Sequence, residues 1–391
     1  MPSAPCPGLA LLPPYALSAI EVDLTHVQHN YQVLRQFLKD SGSPETVCSA
    51  VVKANAYGAG ALPVAGALYE EKCRDFFVAD YDEALRLRPS VPEGRIFVFS
   101  GIVPGSSELF AEQGLIPTLL HKEQILDWQK EAQRRGHKLP AVLHIDTGMS
   151  RTGLMGADID WLLDHREILE AFDLQFIMSH LACSCDRSAA FNEVQLERFR
   201  VFLKHFPGAK ASFVASEGVA FGKSYHFDMV RPGKFLLGLG ELVLSKLKPV
   251  IHVYSRVLEV VEVVPGQSIG YEGAYTFEHR GRVASLGIGY ADGISRALGN
   301  RGTVKINGKY APMVGRVSMD CVSVDITEIE GVAPGDWATL VNEDLSPERL
   351  AKYTGTISRE FCCLLGQRPY RLYRKKEGYD IYTPFGKCCA P

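Results

Sequence analysis

Short apolar runs alternate with amphipathic, charged segments over residues 45–240. This rhythm is typical of strand–helix units around a parallel sheet, because strands that are buried on both faces are almost continuously apolar. The apolar runs lie near residues 47–52, 76–79, 96–100, 116–119, 141–146, 174–179, 211–215 and 235–239. Between them, residues 123–135 and 192–206 have helical periodicity with charges on one face. Eight strands with eight crossings predict a (β/α)8 barrel of the TIM type.

After about residue 245 the pattern changes to alternating β-branched and polar residues, which is typical of a mainly β domain. Asn307-Gly308 separates two such runs and predicts a hairpin turn, and residues 346–353 predict one helix. We therefore expect a (β/α)8 barrel over residues 25–245, followed by a mainly β C-terminal domain over residues 246–391. Residues 1–24 form an N-terminal segment whose strand-like part, near residues 16–22, is expected to join the C-terminal domain.

Composition points to an ordinary globular chain with a small-molecule partner. The 391 residues are 46% hydrophobic and 22% charged, and the formal net charge of -3 is spread without long runs of either sign. Such a chain offers no basic surface for nucleic acid or for an anionic membrane. No stretch approaches the roughly 18 consecutive apolar residues of a membrane span. The first 16 residues lack the charged start of a secretory signal, so we expect a loose terminus on a cytoplasmic protein.

Metal and dinucleotide sites are not supported by the spacing of the relevant residues. None of the ten cysteines forms a CxxC pair, and buried reduced thiols are the simpler interpretation. His144 and His180 lack a carboxylate or thiolate at a spacing that would complete a metal site, so we expect no metal. Gly287-x-Gly289 with Gly293 does not have the spacing of a dinucleotide-binding loop.

Candidate chemistry is found at the ends of the predicted barrel strands, where the active sites of such barrels lie. The polar residues there are Lys53 after the first run, Arg151 after the fifth, His180 after the sixth, Ser216 after the seventh, and Arg231 with Gly233 just before the eighth. The loops around strands seven and eight are also the usual phosphate-binding region of these barrels. A phosphorylated cofactor therefore suits this layout.

Lys53 has the most informative setting of these residues. It follows an apolar run directly and has alanine and glycine neighbours, which is unusual for a surface lysine. Loss of hydration there lowers the pKa of the amine and makes it available for Schiff-base chemistry. Taken singly, His180 reads as a core histidine, Tyr271 as a packed strand aromatic and Arg151 as a salt-bridging turn residue. Their joint placement favours a functional site.

Several long motifs closely resemble those of alanine racemases. They are AVVKANAYGAG (50–60), HIDTGMSRTG (144–153), NEVQLERF (192–199), FDMVRPG (227–233), IGYEGAYT (269–276), GIGYADG (287–293) and NRGTVKINGKYAPMVGRVSMD (300–320). The same order through most of the chain is more specific than any single motif. The resemblance implies a barrel that carries pyridoxal 5'-phosphate, a β domain, and a head-to-tail homodimer in which the partner's C-terminal domain completes each site.

The resemblance also implies roles for individual residues. Lys53 would hold the cofactor and handle the α-proton of the D-amino acid, while Tyr271 would handle that of the L-amino acid from the opposite face. Arg231 would contact the pyridine nitrogen and, with His180, form a network to the tyrosine. The remaining implied residues are Arg151 and the amide of Met319 on the substrate carboxylate, and Tyr57, Gly233 and Tyr290 around the cofactor. We also expect Ser216, Lys234 and Arg359 around the cofactor, from their positions and charges in this chain.

The chain departs from the family pattern at three positions. His144 replaces a lysine whose carbamate supports the substrate arginine in many members. Glu217 stands beside Ser216 where a serine usually donates to the phosphate, and a lone carboxylate there would repel the phosphate. Arg359 replaces a phosphate-binding tyrosine. We expect Arg359 to bind the phosphate and Glu217 to pair with Arg359 or Lys234.

Four functions remain open from the sequence. Racemisation of alanine is the leading hypothesis, and a racemase of serine or of a broader set of amino acids is the second. A barrel-fold decarboxylase of basic amino acids shares the cofactor lysine, but the GYADG and GRVSMD motifs argue against it. A cofactor carrier without catalytic activity resembles the barrel alone, so the β domain with Tyr271 argues against that function.

Overall fold

The computed structural model describes residues 6–240, 246–383 and 386–387. Strand β1 (Ser18–Asp23) leads directly into helix α1 (Leu24–Asp40), whose first amides are capped by the Asp23 carboxylate. The parallel strands that follow are β2 (Val47–Cys48), β3 (Ala50–Val51), β4 (Asp75–Val78), β5 (Arg95–Val98), β6 (Ile116–Leu119), β7 (Leu139–His144), β8 (Phe172–Met178), β9 (Ala211–Ala215) and β10 (Met229–Arg231).

These strands form a barrel in which the first strand is split. β2 pairs with β10 and β3 pairs with β4, and only Ser49 separates the two halves. The Ser49 amide donates to the Val230 carbonyl, so hydrogen bonding to β10 continues across the break. The predicted TIM-type barrel is confirmed.

Helices cover the outside of the barrel, as the crossover connections of parallel strands require. They are α2 (Lys53–Tyr57), α3 (Ala61–Glu70), α4 (Tyr81–Leu87), α5 (Ser107–Glu112), α6 (Lys122–Arg135), α7 (Ala157–Asp164), α8 (Phe191–Leu203), α9 (Ser216–Val219) and α10 (Lys223–His226). The helices predicted at 123–135 and 192–206 correspond to α6 and α8. α6 ends where Gly136 adopts the left-handed conformation at its C-cap.

The eighth strand is not where the sequence pattern placed it. The apolar run at 235–239 begins as a 3-10 turn, Lys234–Leu237, which Gly238 ends, whereas the strand is β10. Arg231 is therefore the last residue of the strand rather than a residue before it. A three-residue strand that ends in a buried arginine has a weaker apolar pattern than the turn that follows it, which explains the error.

A mainly β region follows the barrel. Its strands are β11 (Ile251–Val263), β12 (Ser268–Ile269), β13 (Tyr275–Thr276), β14 (Gly281–Leu286), β15 (Thr303–Ile306), β16 (Lys309–Pro312), β17 (Val322–Asp325), β18 (Trp337–Val341), β19 (Tyr370–Lys375), β20 (Gly378–Thr383) and β21 (Gly386–Lys387), with helices α11 (Pro347–Thr354) and α12 (Ser358–Cys363). Asn307 and Gly308 form the predicted hairpin turn between β15 and β16, both with positive φ.

The N-terminal segment packs against this second region. β1 lies between β11, to which it is antiparallel, and β19, to which it is parallel. Before β1, a 3-10 turn buries Cys6 and Leu9 against the side chains of Tyr254 and Leu372. The expectation of a loose terminus is wrong for residues 6–16, because their apolar side chains pack against the sheet formed by β1, β11 and β19. Residues 1–5 lie outside the described part of the chain.

Helix α12 packs against α2 and so brings the C-terminal region to the mouth of the barrel. The approach is close, because a Cβ on Gly58 would lie 2.2 Å from the Cys362 carbonyl oxygen. The Arg371 guanidinium donates to the Gly58 carbonyl at 2.9 Å. This contact places α12 beside the residues that follow β3.

Candidate active site

Four strands place a polar residue two positions beyond an apolar residue that faces the interior of the barrel. The apolar partners belong to one buried cluster inside the barrel. The pairs are Val51 with Lys53, Val142 with His144, Met178 with His180, and Met229 with Arg231. Because side chains alternate along a strand, the polar members share the carboxyl end of the barrel.

Lys53 is presented by a turn of unusual conformation. Ala54, Asn55, Ala56 and Tyr57 all have φ between 51° and 54°, which is a left-handed turn built without glycine. Such a conformation costs roughly 1–2 kcal/mol per residue for L-amino acids. Glu83 supports the turn by accepting the Ala54 amide at 2.6 Å. Strain of this kind is typical of functional sites, where the surrounding structure enforces it.

The Lys53 amine lies in a partly buried and cationic environment. Its Nζ is 5.2 Å from the centre of the Phe99 ring. Burial lowers the pKa of Lys53, and the positive charges of Arg151 and Arg359 lower it further, against the opposite effect of Glu83. A depressed pKa increases the fraction of neutral amine, which is the nucleophilic form.

Two histidines in the same cluster are held neutral. Burial, followed by repulsion from Arg231, lowers the pKa of His144 to about 4 and that of His180 to about 3. At neutral pH each imidazole therefore has one nitrogen that can accept a hydrogen bond and one that can donate. The positive charge of the cluster comes from Lys53 and the arginines.

Arg231 is completely buried within the barrel. Its guanidinium donates to the Ser179 carbonyl at 2.6 Å, to the Ser212 hydroxyl and, less closely, to the Phe213 carbonyl. Burial lowers the pKa of Arg231 to about 9, so it remains protonated at neutral pH. Its hydrogen-bond partners within the described residues are all neutral, which leaves its charge available to a bound ligand.

Ser216, Gly233 and Tyr57 form a compact cradle beside the cluster. The Ser216 hydroxyl oxygen accepts the amides of Gly233 at 2.9 Å and Phe235 at 3.4 Å, so its own proton remains to be donated. A Cβ on Gly233 would lie 2.3 Å from the Tyr57 hydroxyl. Two hydroxyls converge beside Gly233, where a larger residue would collide with Tyr57. This arrangement is suited to a phosphate group.

Glu217 does not face this cradle with an unpaired charge. Its carboxylate forms an ion pair with Lys234, and both side chains are largely buried. The expected pairing of Glu217 with one of the two named cations is confirmed, with Lys234 as the partner. Neutralisation within the pair removes the repulsion that a lone carboxylate would exert on a phosphate.

Arg359 reaches the cradle from α12. Its charge opposes the effect of burial, which raises the pKa of Tyr57 to about 12. Cys363, one turn further along α12, also interacts with the charges of Lys53 and Arg359. The arginine is half-buried and close enough for its charge to act on both Tyr57 and Lys53.

Arg151 lies on an exposed turn that a carboxylate organises. Asp146 accepts the amides of Gly148 at 2.6 Å and Arg151 at 3.1 Å. Arg151 is nonetheless close enough to lower the pKa values of Lys53 and His180. The charge of Asp146 also acts on His144, the residue that stands in the position of the family's supporting lysine.

Tyr271, Tyr290 and Met319 are exposed residues of the C-terminal region, and none of them forms a hydrogen bond with the cluster in the described part of the chain. Their side chains are 65%, 41% and 52% exposed on the C-terminal region. Tyr290 and Met319 lie near each other, because the Tyr290 amide donates to Ser318 and the next amide donates to Met319. No side-chain hydrogen bond of the described residues involves Tyr271, and the main causes of the lowered Lys53 pKa are burial and other charged groups.

Sequence reasoning missed two residues that organise the site. Asp146 could have been found, because it is a polar residue at the end of the fifth apolar run, close to the position that selected Lys53 after the first. Glu83 had no such signal, because it lies within a helix and acts on the chain backbone 29 residues earlier.

Other ligand classes find little support in the structure. Within residues 6–240, 246–383 and 386–387, no group of three or more histidine, cysteine or acidic residues could hold a metal ion. None of the helices over those residues combines the length and the apolarity needed to span a bilayer.

The fold and the site define a barrel protein with a cationic cluster around a lysine of lowered pKa at the carboxyl end of its strands. The alanine racemase N-terminal domain family matches residues 22–241, and the alanine racemase C-terminal domain family matches residues 250–373. The chain belongs to the alanine racemase family.

Individual relatives cover almost the whole chain. The alanine racemase of Rickettsia conorii is 37% identical over 364 residues, 92% of this chain and 99% of that protein. The alanine racemase of Brucella abortus is 37% identical over 90% of this chain and 93% of that protein. A crystal structure of the Bartonella henselae alanine racemase with covalently bound pyridoxal phosphate is 38% identical, with a TM-score of 0.87 over 92% of this chain and all of that chain.

Proposed function

We propose that this chain is a pyridoxal-phosphate-dependent racemase that interconverts L-alanine and D-alanine with two bases. Its cofactor barrel spans residues 25–245, and its mainly β domain spans residues 246–391 and includes β1. The observation that carries the proposal is the Lys53 amine, which has a depressed pKa and lies among cations near the cradle of Ser216, Gly233 and Tyr57. Family membership, and the covalently bound pyridoxal phosphate of the Bartonella relative, support the same function.

The residues of the cluster fit the cofactor group by group. Lys53 would hold its carbonyl carbon, and Ser216, Tyr57 and Arg359 would bind its phosphate. Pyridoxal phosphate, when bound, supplies an electron sink that makes the α-proton of an amino acid acidic. Arg231 would face the pyridine nitrogen, where a group that stays protonated cannot readily give a proton away. This restraint favours racemisation over side reactions.

Racemisation requires a base on each face of the substrate. Lys53 is the proposed base for the D-enantiomer, and Tyr271 is the proposed base for the L-enantiomer. A free tyrosine has a pKa of about 10, so it needs stabilisation of its anion to act near neutral pH. Neutral His180, fixed beside the charge of Arg231, would provide that stabilisation through a hydrogen bond to Tyr271.

The exposure of Tyr271 and Met319 supports a site that two subunits share. A tyrosine that is 65% exposed on the C-terminal region is accessible to the barrel of a second copy. In a twofold dimer each barrel would then receive the C-terminal surface of its partner. Arg151 of the barrel and the Met319 amide of the partner would together hold the substrate carboxylate.

Mixing two inactive variants tests the shared site. Lys53→Ala and Tyr271→Phe proteins should regain activity after subunit exchange, because a hybrid dimer contains one intact site. Each variant exchanged with itself provides the control. Absence of recovery after exchange has been verified would show that each site is built within one chain.

The reaction is tested by incubating the cofactor-loaded protein with single L-amino acids in heavy water. We expect exchange of the α-proton and optical inversion with alanine. Faster inversion of serine would make serine the substrate, and loss of carbon dioxide without inversion would identify a decarboxylase. Bound cofactor with neither exchange nor inversion would identify a carrier and overturn the proposal.

A further inference from the structure

Helix α8 buries a side-chain amide whose hydrogen bonds are all directed towards the mouth of the barrel. Gln195 is 0% exposed and belongs to the NEVQLERF motif, to which the proposed function gives no role. Its Oε1 accepts the Ala182 amide at 2.8 Å. Its Nε2 donates to the His180 carbonyl at 2.9 Å and to the Thr147 hydroxyl at 3.2 Å. Both amide protons are therefore used.

Through these bonds the amide connects three parts of the candidate site. Thr147 lies in the turn that carries Arg151, and His180 is held through its own backbone. The Thr147 hydroxyl also lies 2.9 Å from the Ser179 hydroxyl, and the Ser179 carbonyl accepts Arg231 at 2.6 Å. The side chains of Thr147 and Ser179 are themselves buried, so no water replaces a lost bond without rearrangement.

We propose that Gln195 is a positioning residue that fixes His180 relative to Arg231 and to the Arg151 turn. The inference rests on the proposed function, because it gives His180 a task in racemisation. A displacement of about 1 Å near a reaction centre can lower the rate about 100-fold. A buried side chain that holds the backbone of His180 in place can therefore affect the rate of racemisation. The clamp acts without touching substrate or cofactor.

Helix α6 contains a matched control. Gln124 is 6% exposed, and its amide also holds loop backbone at three points, namely Leu120, Ser100 and Ile102. Within the described residues its side chain forms no hydrogen bond with His180, Arg231 or the Arg151 turn. Gln195→Met and Gln124→Met each remove an amide while keeping nearly the same chain length, so they should lower thermal stability by similar amounts.

Hydrogen exchange in the cofactor-free protein provides a readout that is independent of activity. Amides of the segment 180–186 should exchange at least about tenfold faster in Gln195→Met than in the unmodified protein, because the Ala182 amide loses its acceptor. Gln124→Met should leave that segment unchanged. Equal protection of segment 180–186 in both variants would overturn the inference.

Kinetics of the loaded enzyme provide the second readout. In Gln195→Met the acid limb of the L-to-D profile of kcat/KM should move to higher pH, because a displaced His180 stabilises the Tyr271 anion less well. Gln124→Met should keep the original profile. Thr147→Val removes the shared hydroxyl without altering either glutamine, and it should shift the limb in the same direction even if Gln195→Met does not fold.

Failure of the inference and failure of the proposed function are distinguishable. An unmodified protein that does not racemise alanine refutes the function, and hydrogen exchange then decides the structural clamp alone. An active unmodified protein whose pH profile is unaffected by Gln195→Met and by Thr147→Val refutes the positioning role.

Discussion

Replacement of Gly233 by alanine tests the proposed phosphate cradle most directly. The added Cβ would lie 2.3 Å from the Tyr57 hydroxyl and 2.9 Å from its ring carbon. Ordinary contacts require about 3.5 Å or more, so Tyr57 must move by about 1 Å. The Gly233 backbone has a negative φ, and the effect of alanine is therefore steric rather than conformational.

The expected cost follows from the overlap. Overpacking at a fixed site typically costs about 1–3 kcal/mol, which corresponds to a loss of cofactor affinity between about 5-fold and 150-fold. The loss should fall on pyridoxal phosphate and much less on pyridoxal, because only the former presents a phosphate to the cradle. Tyr57→Phe in the same chain removes the nearest atom and should relieve part of the steric overlap.

The assay is a titration of the cofactor-free protein with each of the two compounds, followed by absorbance. Gly66→Ala is the control, because its Cβ would meet nothing within 4 Å and it lies in helix α3. That variant should keep full affinity and gain up to about 1 kcal/mol of stability. An equal loss of affinity for pyridoxal and for pyridoxal phosphate in Gly233→Ala would refute the cradle.

Three further predictions concern other residues of the site. Tyr271→Phe should slow α-proton exchange from L-alanine by about 100-fold or more while exchange from D-alanine survives better, as measured by NMR in heavy water. Equal losses in both directions would contradict the two-base assignment. Arg359→Ala should weaken cofactor binding about tenfold or more, with partial recovery in Arg359→Lys, and unchanged retention on dialysis would place Arg359 outside the site. His144, whose pKa falls from 6.5 in the unfolded chain to about 4 in the fold, should cost stability as pH decreases from 6.5 towards 4, because the unfolded state binds its proton more readily. Denaturant unfolding of His144→Asn should show a shallower pH dependence in that range, and an identical slope would refute the assignment.

The site was predictable where it depends on position along single strands. Lys53, His180 and Ser216 were found because each follows an apolar run, and the carboxyl ends of parallel strands must meet. Arg231 was selected for the same region although the eighth strand was misplaced, because the predicted strand lay only a few residues from the observed one. The exposure of Tyr271 and Met319 was not predictable, because the sequence pattern does not say which surface faces a partner.

Partnerships between distant residues were harder to predict. The Glu217 pairing could be narrowed to two cations from charge alone, but only the packed structure brings Lys234 rather than Arg359 to it. The three hydrogen bonds of Gln195 could not be predicted from the neighbouring sequence. A glutamine on a helix is recognised as buried only after the helix has been packed against the barrel.

The sequence by itself determined the order of elements, the strand-end lysine and the change to β structure after about residue 245, because hydrophobic periodicity is a local property of the chain. Only the tertiary structure decided how the barrel closes through the split first strand, that α12 carries Arg359 to the lysine, and that Tyr271 remains on an outer surface. These features depend on contacts between residues far apart in sequence. For example, α12, which contains Arg359, can approach the turn after Lys53 because Gly58 leaves room for the backbone of Cys362. Such contacts follow from three-dimensional packing, which local periodicity does not encode.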